Sequence, residues 1–329
     1  MNLGYRMGSK KDTDVIFSFL EKKTSFPQYM GFENKDIIVK KIKDVYHRHN
    51  VLGRSETFPL IIAEDIDTGD PVGYMLLQMG IAELFTGKYL ARIFDYHIDI
   101  PGLKRQVMDH FINQAEMFAE ENQLSRLIVE IPAGEKEEED YFLDRGFYIE
   151  INKIIKKAKN QNLNTRLQRR YTVRPMENRD RMFVLLLVAQ NSKFLIPPEL
   201  EEESKRIEEE CFNSYSDMNL LSDPEISVYI IEETETFRQV GYIIMQTKSD
   251  DVICARKNAY VYDISIHHDF WGKYAAQRLL REAENIFSEK GYYYLYADTS
   301  QNNPRALKMA VKSLGYKLYS RRWAKKVEI

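Results

Sequence analysis

Residues 262–284, YDISIHHDFWGKYAAQRLLREAE, place a carboxylate on a predicted strand shortly before a short loop and a long helix. Asp263 lies on the strand, Gly272 lies in the loop, and Ala275 and Ala276 stand near the start of the helix. The first turn of a helix has unpaired backbone N–H groups and the positive end of the helix dipole, which together favour a pyrophosphate. Burial would raise the pKa of a strand carboxylate toward neutrality, where it can act as a general base. The stretch therefore predicts a site that binds a phosphate-bearing ligand and accepts a proton.

A catalytic role for Asp263 has a structural alternative. Asp95 holds the same position in an N-terminal copy of this stretch that lacks the loop, so both carboxylates can instead serve to satisfy neighbouring polar groups. Strand alternation places Tyr260 and Tyr262 on the face opposite Asp263, where they are further candidates to line an acceptor pocket. Both interpretations of Asp263 stay open at this point.

The run His267-His268-Asp269 contains residue types that bind metals, but we expect no metal site. Adjacent histidines on a strand point to opposite faces, and no further ligand cluster is evident in the sequence. Cys211 and Cys254 are the two cysteines, too few for a disulfide scaffold or a closed zinc site. This cysteine content indicates a reducing, cytoplasmic compartment.

The chain contains two copies of one unit. PVGYMLLQ at 71–78 returns as QVGYIIMQ at 239–246. The same offset, or one that is longer by a single residue toward the ends of the copies, relates further pairs: Arg6 and Arg174, Asp12 and Asp180, Asp95 and Asp263, Glu116 and Glu284, Phe147 and Tyr316, and Lys156 and Lys325. A register kept over so long a period predicts a duplicated domain, and 329 residues suit two domains of about 150 residues each. We place the domains at 1–157 and 171–329, joined by the polar linker AKNQNLNTRLQRR at 158–170.

Each copy is predicted to follow the order strand, two helices, three strands, helix, strand, helix, strand. In the second copy we expect strands at 171–176, 226–233, 240–247, 259–266, 292–300 and 316–327. We expect helices through 183–190 and at 199–214, 272–290 and 304–314.

This order, the strand–loop–helix of 262–284 and the later NNPRALKMAVKSLGY at 302–316 resemble the GNAT N-acetyltransferase superfamily. The family's CoA loop has the pattern Gln/Arg-x-x-Gly-x-Gly/Ala, which here falls on Trp271, Gly272, Lys273, Tyr274, Ala275 and Ala276. Tyr274 replaces a usual glycine, and we expect it to adopt helical dihedrals with its ring turned away from the pyrophosphate. The resemblance implies an α/β (α+β) fold of two tandem GNAT-like domains, each a mixed, mostly antiparallel sheet flanked by helices.

The resemblance also implies roles for residues around the loop. The backbone of Ile264, Ser265 and Ile266 would hold the pantetheine arm of CoA, and Asn303 would lie near it. The family often carries an acid tyrosine in the following helix, where this sequence has alanine and valine at positions 310 and 311. The general acid is therefore unassigned.

The first copy does not retain the loop. Its equivalent positions hold Leu103, Lys104, Arg105, Gln106, Val107 and Met108. The region of Asn303 becomes the acidic run AGEKEEEDY at 133–141, which would repel CoA phosphates. We expect the CoA site in the second copy alone, with the first copy shaping or covering it.

The resemblance implies acetyl-CoA as co-substrate and transfer of its acetyl group to the amine of a small-molecule or peptide acceptor. A net charge of −3 provides no basic field for nucleic acid, and the apolar run FVLLLVA is too short to cross a bilayer, so neither partner is expected. Two alternatives stay open, a non-catalytic acyl-CoA-binding or scaffolding protein and an acyltransferase with a different acyl donor. The segment SKFLIPPE at 192–199 is a candidate for setting the acceptor.

Overall fold

A computed structural model describes residues 1–26, 34–83, 86–160, 165–194, 204–247 and 256–328. The strands are β1 Leu3–Met7, β2 Leu60–Asp65, β3 Pro71–Ala82, β4 Tyr89–Ile98, β5 Arg126–Pro132, β6 Tyr148–Lys157, β7 Tyr171–Pro175, β8 Ile226–Glu233, β9 Gln239–Gln246, β10 Asn258–Ile266, β11 Tyr294–Ser300 and β12 Lys317–Lys326. The α-helices are α1 Thr13–Lys22, α2 Lys35–Arg48, α3 Lys104–Glu121, α4 Lys136–Asp144, α5 Thr165–Arg170, α6 Arg181–Asn191, α7 Ser204–Asp217, α8 Ala275–Glu289 and α9 Pro304–Lys308. The element order predicted for the second copy is confirmed. None of the described helices combines the length and apolar character needed to cross a lipid bilayer.

The chain divides into an N-terminal unit, residues 1–149 with 320–329, and a C-terminal unit, residues 150–319. In the N-terminal unit the described strands lie in the order β1-β2-β3-β4-β5-β12, and in the C-terminal unit in the order β6-β11-β10-β9-β8-β7. One pair in each unit is parallel, β4 with β5 and β10 with β11, and the remaining pairs within each unit are antiparallel. The predicted mixed, mostly antiparallel sheets flanked by helices are confirmed.

The units differ from the predicted domains because each takes its last strand from the other half of the sequence. β6, expected to close the first domain, pairs with β11 of the C-terminal unit. β12, expected to close the second domain, pairs with β5 of the N-terminal unit. The boundary at 157 therefore moves to 149, and 320–329 belongs with the N-terminal unit.

Two ion pairs accompany this exchange of strands. Lys156 of β6 lies 2.6 Å from Glu284 of α8, and Lys325 of β12 lies 2.5 Å from Glu116 of α3. The two lysines are equivalent in the repeat, and so are the two glutamates. Each glutamate thus bonds the lysine that belongs to the other half of the sequence, which is the contact that the strand exchange requires.

The duplication is also visible in a repeated network of an arginine and two carboxylates. Arg174 lies 2.6 Å from the buried carboxylate of Asp180 and 3.0 Å from Glu232. Arg6, the counterpart of Arg174, makes the same contacts with the two corresponding carboxylates of the first copy. The equivalence predicted from the sequence therefore holds in three dimensions.

The repeated glycine of PVGYMLLQ and QVGYIIMQ has a steric reason. A Cβ on Gly241 would lie 2.4 Å from the backbone oxygen of Ser265 on β10. A Cβ on Gly73 would lie 2.9 Å from the backbone oxygen of His97 on β4. Glycine at this position lets the neighbouring strand approach closely in both units.

Three local features near the predicted site depart from expectation. α8 begins three residues later than predicted, and it buries Leu279, Ala283 and Phe287 in the core of the C-terminal unit. The predicted linker at 158–170 ends in a helix, α5. The predicted helix after Pro304 continues from α9 into a π-helical turn, Met309–Ser313. A π-turn holds one extra residue, which accounts for the longer offset between the two copies before the final strand.

Candidate active site

β10 and β11 separate within the C-terminal unit and open a cleft. They pair in parallel only along Asn258 to Val261 and Tyr294 to Ala297. Beyond this point β10 remains bonded to β9 as far as Ile266, while β11 remains bonded to β6. Among the described residues, the backbone groups of β10 that face β11 beyond Val261 therefore have no strand partner. A cavity of about 560 Å³ occupies the cleft.

This cavity brings together most of the predicted site. The predicted residues that line it are Tyr262, Asp263, Ile264, Ser265, Ile266, Trp271, Gly272, Tyr274, Ala275, Ala276 and Asn303. Tyr260 and Lys273 are not part of the lining. Residues from a strand, a loop and two helices thus meet around one space.

The loop before α8 turns through two residues with positive φ, Gly272 at 75° and Tyr274 at 63°. The expectation that Tyr274 adopts helical dihedrals is wrong, because this residue is the left-handed N-cap and α8 starts at Ala275. A left-handed conformation costs a non-glycine residue about 1 kcal/mol. The first helical hydrogen bond runs from the Arg278 N–H to the Tyr274 oxygen, 3.0 Å. The amides of residues 275–277 therefore precede the helical ladder at the cavity wall.

Trp271 fastens the loop to the end of β10. Its Nε1 donates a hydrogen bond to the backbone oxygen of Ile266, 2.8 Å away. Its ring meets Phe194 edge to face, with the centroids 6.0 Å apart. Phe194 belongs to the segment 192–199 that was expected to set the acceptor, and residues 195–199 lie outside the described residues.

Asp263 is partly buried at the cavity wall and is held by two tyrosines. Its Oδ2 accepts hydrogen bonds from the hydroxyls of Tyr215, at 3.1 Å, and Tyr242. Burial raises the pKa of Asp263, although the two hydroxyls and the Ile264 backbone N–H act in the opposite direction. In the part of the chain that the structure describes, no lysine or arginine forms an ion pair with Asp263. Such a carboxylate is fixed in place and can accept a proton at a higher pH than an exposed aspartate.

A β-bulge brings Tyr262 to the same cavity as Asp263. The register of β10 against β9 shifts by one residue between Val261 and Asp263, which leaves Tyr262 as the extra residue. The Tyr262 ring lies 5.9 Å from that of Tyr215, the residue that bonds to Asp263. The expectation that Tyr262 lies on the opposite face is therefore wrong, whereas Tyr260, before the bulge, stays outside the lining.

Two side chains of the lining have roles within the fold. Asn191, the last residue of α6, donates a hydrogen bond to Ser265 Oγ at 2.5 Å. Asn303 caps α9, where its Oδ1 accepts from the Ala306 N–H at 3.1 Å. Both amides remain part of the cavity wall.

His267, His268 and Asp269 lie side by side, contrary to expectation. They leave the strand and lead into a short 3-10 turn, so the two rings lie 4.3 Å apart. One potential ligand atom from each residue lies within 4.8 Å of the others. Asp269 is also paired with Arg238 at 2.5 Å, a cation that competes with any metal ion.

The N-terminal unit has a corresponding cleft with different contents. β4 and β5 pair in parallel only along Ala91 to Ile93 before they separate. α3 begins at Lys104, the counterpart of Gly272, so helix replaces the last three residues of the loop, 272–274. Lys104 lies 3.5 Å from Glu138 of α4. A cavity of about 410 Å³ remains, and its lining includes the charged residues Lys22, Lys23, Asp99, Lys104, Glu130, Glu137 and Glu138.

Four residues of the site were missed in the sequence: Asn191, Tyr215, Tyr242 and Arg305. A signal was present for Tyr242, because the tyrosine of QVGYIIMQ recurs as Tyr74 in PVGYMLLQ. Tyr215 and Asn191 lie on helices remote in sequence from Asp263, and only the fold brings them near it.

Comparison with known proteins gives a family match for part of the chain and structural matches for nearly all of it. Residues 190–316 match the family model described as Acetyltransferase (GNAT) family. A GCN5-related N-acetyltransferase from Sphaerobacter thermophilus has a TM-score of 0.57 at 11% identity, over 99% of this chain and 96% of that chain. A glucosamine N-acetyltransferase region of a fungal multi-domain β-N-acetylglucosaminidase has a TM-score of 0.58 at 12% identity, over 98% of this chain and 38% of that chain. No curated protein matches in sequence. At such identities the structural likeness shows the fold alone.

Proposed function

We propose that the C-terminal unit is an acyl-CoA-dependent N-acyltransferase, because residues 190–316 match the family model described as Acetyltransferase (GNAT) family. Acetyl-CoA is the proposed donor and an amine is the proposed acceptor. One observation carries the proposal, a cavity that joins the N-terminus of α8 to the carboxylate of Asp263 along a separated strand.

The residues of the cavity fit such a donor. The free amides of residues 275–277 and the dipole of α8 suit a pyrophosphate, and Ala275 and Ala276 leave room for it. Arg305, on the first turn of α9, adds a positive charge to the wall. The backbone of β10 from Ile264 to Ile266 lies beyond the described pairing with β11, and its edge suits the amides of the pantetheine arm, apart from the Ile266 oxygen that accepts from Trp271. The bound donor would supply an acyl group activated as a thioester.

Asp263 is the proposed base. An alkylamine is protonated at neutral pH and must lose a proton before its nitrogen can attack. Tyr215 and Tyr242 fix the orientation of the carboxylate, and its raised pKa suits it to take that proton. Burial raises the pKa of Tyr262, so this residue presents a protonated hydroxyl to the same space. Tyr260 is left out of the proposal because it lies outside the lining.

Calorimetry with acetyl-CoA on the full chain, followed by mass spectrometry of a panel of amines, tests the proposal. We expect binding and a mass gain of one acetyl group on at least one amine. Binding without turnover on any amine would favour the non-catalytic alternative. Tighter binding of a long-chain or aminoacyl donor would favour a different acyl group. Failure to bind any acyl-CoA would contradict the proposal.

A further inference from the structure

Lys23 of the N-terminal unit lies against the carboxylate that corresponds to Asp263. Its Nζ forms an ion pair with Oδ1 of Asp95, and the two side chains are only 13% and 11% exposed. The ring of Phe26 lies 5.6 Å from the ammonium and the ring of Tyr96 lies 5.5 Å from it. In this unit a primary ammonium on an unbranched alkyl chain thus occupies the carboxylate site.

The surroundings of the two carboxylates are otherwise repeated. Tyr74 and Tyr46 donate to Oδ2 of Asp95 at 2.6 and 2.8 Å. They correspond in the repeat to the two tyrosines bound to Asp263, Tyr46 with a shift of a single position. The β-bulge beside the carboxylate is repeated as well. The N-terminal unit therefore shows how a cation binds to this arrangement of strand, bulge and tyrosines.

The C-terminal unit has the carboxylate without the lysine. The counterpart of Lys23 in the repeat is Asn191, which ends α6 and lines the cavity. Its amide bonds to Ser265 and carries no charge. Because asparagine replaces lysine, this helix supplies no cation to Asp263. A cationic ligand can bind beside the carboxylate instead.

The apolar side of the position is retained. Phe194 is the counterpart of Phe26 in the repeat, and it also lines the cavity. Tyr96 corresponds to Ile264, which is apolar but not aromatic, and a different ring, that of Tyr262, lines the cavity near Asp263. Aromatic faces stabilise an ammonium and its aliphatic stem, so these rings suit the same kind of group that Lys23 supplies in the other unit.

We propose that the acceptor of the C-terminal site is a primary alkylammonium on an unbranched chain, as in a lysine side chain, and that it binds Asp263 as Lys23 binds Asp95. The inference rests on the function proposed above and names its acceptor class. A partly buried carboxylate gains most from a cation that fills the space beside it. An α-amino group fits less well, because its neighbouring carbonyl oxygen would approach the carboxylate.

Two isomeric probes test the acceptor class on the full chain with acetyl-CoA. Nα-acetyl-lysine amide offers the side-chain amine, whereas Nε-acetyl-lysine amide offers the α-amine. We expect kcat/KM to be at least ~10-fold higher for the first probe, since one well-placed charge contact is worth about this much. Equal rates, or preference for the α-amine, would overturn the inference while leaving the transferase activity established.

Asn191→Lys tests the position itself, because it places in the C-terminal unit the lysine found in the N-terminal one. The new ammonium should pair with Asp263 and exclude the acceptor. We expect kcat/KM for Nα-acetyl-lysine amide to fall at least ~100-fold, with the affinity for acetyl-CoA changed less than about twofold. Gln190→Lys, at the exposed neighbouring residue of the same helix, is the matched control and should keep both values.

Calorimetric titration with n-butylammonium provides a readout that needs no donor. We expect binding by the wild type and by Gln190→Lys, and loss of binding in Asn191→Lys, with circular dichroism confirming that all three are folded. Undiminished n-butylammonium binding or turnover in folded Asn191→Lys would overturn the inference. Should Asn191→Lys not fold, Asp263→Asn replaces it, and unchanged n-butylammonium affinity in that variant would overturn the inference too. A wild type that binds n-butylammonium but not acetyl-CoA would contradict the proposed function alone.

Discussion

The two units hold the same carboxylate in the same tyrosine cluster, yet Asp95 is covered and Asp263 faces a cavity. In the N-terminal unit a lysine from the end of α1 neutralises the carboxylate. In the same unit α3 starts three residues earlier than its counterpart and replaces the last three residues of the loop that precedes α8. Two local changes therefore accompany the difference between the covered carboxylate of Asp95 and the cavity-facing carboxylate of Asp263. The comparison indicates that the tyrosine–aspartate cluster belongs to the fold, while the space beside it is what a ligand can use.

The largest expected effect concerns the strand exchange. A fragment of residues 150–319 contains every strand of the C-terminal unit, so it should unfold cooperatively and bind acetyl-CoA. A fragment of residues 171–316 lacks both β6 and the equivalent β12, which leaves an edge of β11 unpaired and removes Lys156 from the buried carboxylate of Glu284. Loss of such a partner costs about 3–5 kcal/mol, so this fragment should not fold. Circular-dichroism melting compares the two, and equal melting temperatures would show that the exchange is dispensable.

Matched substitutions of the two carboxylates separate structure from chemistry. Asp95→Asn leaves the ammonium of Lys23 buried without its partner, which should lower the free energy of unfolding by about 3–5 kcal/mol. Asp263→Asn breaks no ion pair and should cost less, but it should lower turnover by roughly 10²-fold. Urea unfolding measures the free energy of unfolding of each variant, and activity per folded molecule measures its turnover. Equal destabilisation with unchanged activity would assign Asp263 a structural role only.

The protonation of Asp263 predicts the direction in which stability and turnover change with pH. Folding raises the pKa of Asp263, so the folded state favours its protonated form. That contribution to stability is complete below the unfolded pKa, about 3.9, and is lost as pH rises through the raised value. The stability of the wild type relative to Asp263→Asn should therefore fall as pH rises, and turnover should fall as pH drops through the same value. A difference that does not vary between pH 4 and 8 would contradict the assignment.

A smaller effect is expected at the start of α8. Ala276→Glu would set a negative charge beside the proposed pyrophosphate and should weaken acetyl-CoA binding about tenfold, or about 1–2 kcal/mol. Ala276→Gln has the same size without the charge and should bind more tightly than the glutamate variant. The equivalent Met108 is buried in the core of the N-terminal unit, which shows that this position is filled there. Equal calorimetric affinities for the two variants would mean that no phosphate lies near the helix start.

The smallest effect concerns Tyr274 and its helical counterpart Gln106. Glycine adopts positive φ without cost, so Tyr274→Gly should raise the free energy of unfolding by about 1 kcal/mol. Gln106 lies in α3, so Gln106→Gly should instead lower the free energy of unfolding by about 0.5–1 kcal/mol. Urea denaturation of the two variants measures the signs. A loss of stability in both would mean that the Tyr274 ring contributes more than its backbone conformation costs.

Much of the site was predictable because short sequence patterns identify its residues. The repeat identified two copies, and Gly272 with Ala276 indicated which copy keeps a loop before its long helix. The left-handed backbone of Tyr274 was not predicted, because tyrosine can also adopt the helical dihedrals expected at the start of a long helix. The bulge at Tyr262 was also missed, because alternation along a strand is broken by one extra residue that leaves no mark in the sequence.

The sequence by itself determined the duplication, the order of elements within each copy and the strand–loop–helix that contains Asp263. These follow from local periodicity, turn residues and a register kept over the repeat. The tertiary structure alone decided that β6 completes the C-terminal unit and β12 the N-terminal one. The two strands hold equivalent places in the repeat, so each can pair with the edge of either sheet and place its lysine beside either glutamate. Hydrophobic pattern specifies which face of a strand is buried but not which of two equivalent edges it joins, and that choice depends on how the whole chain is connected in space.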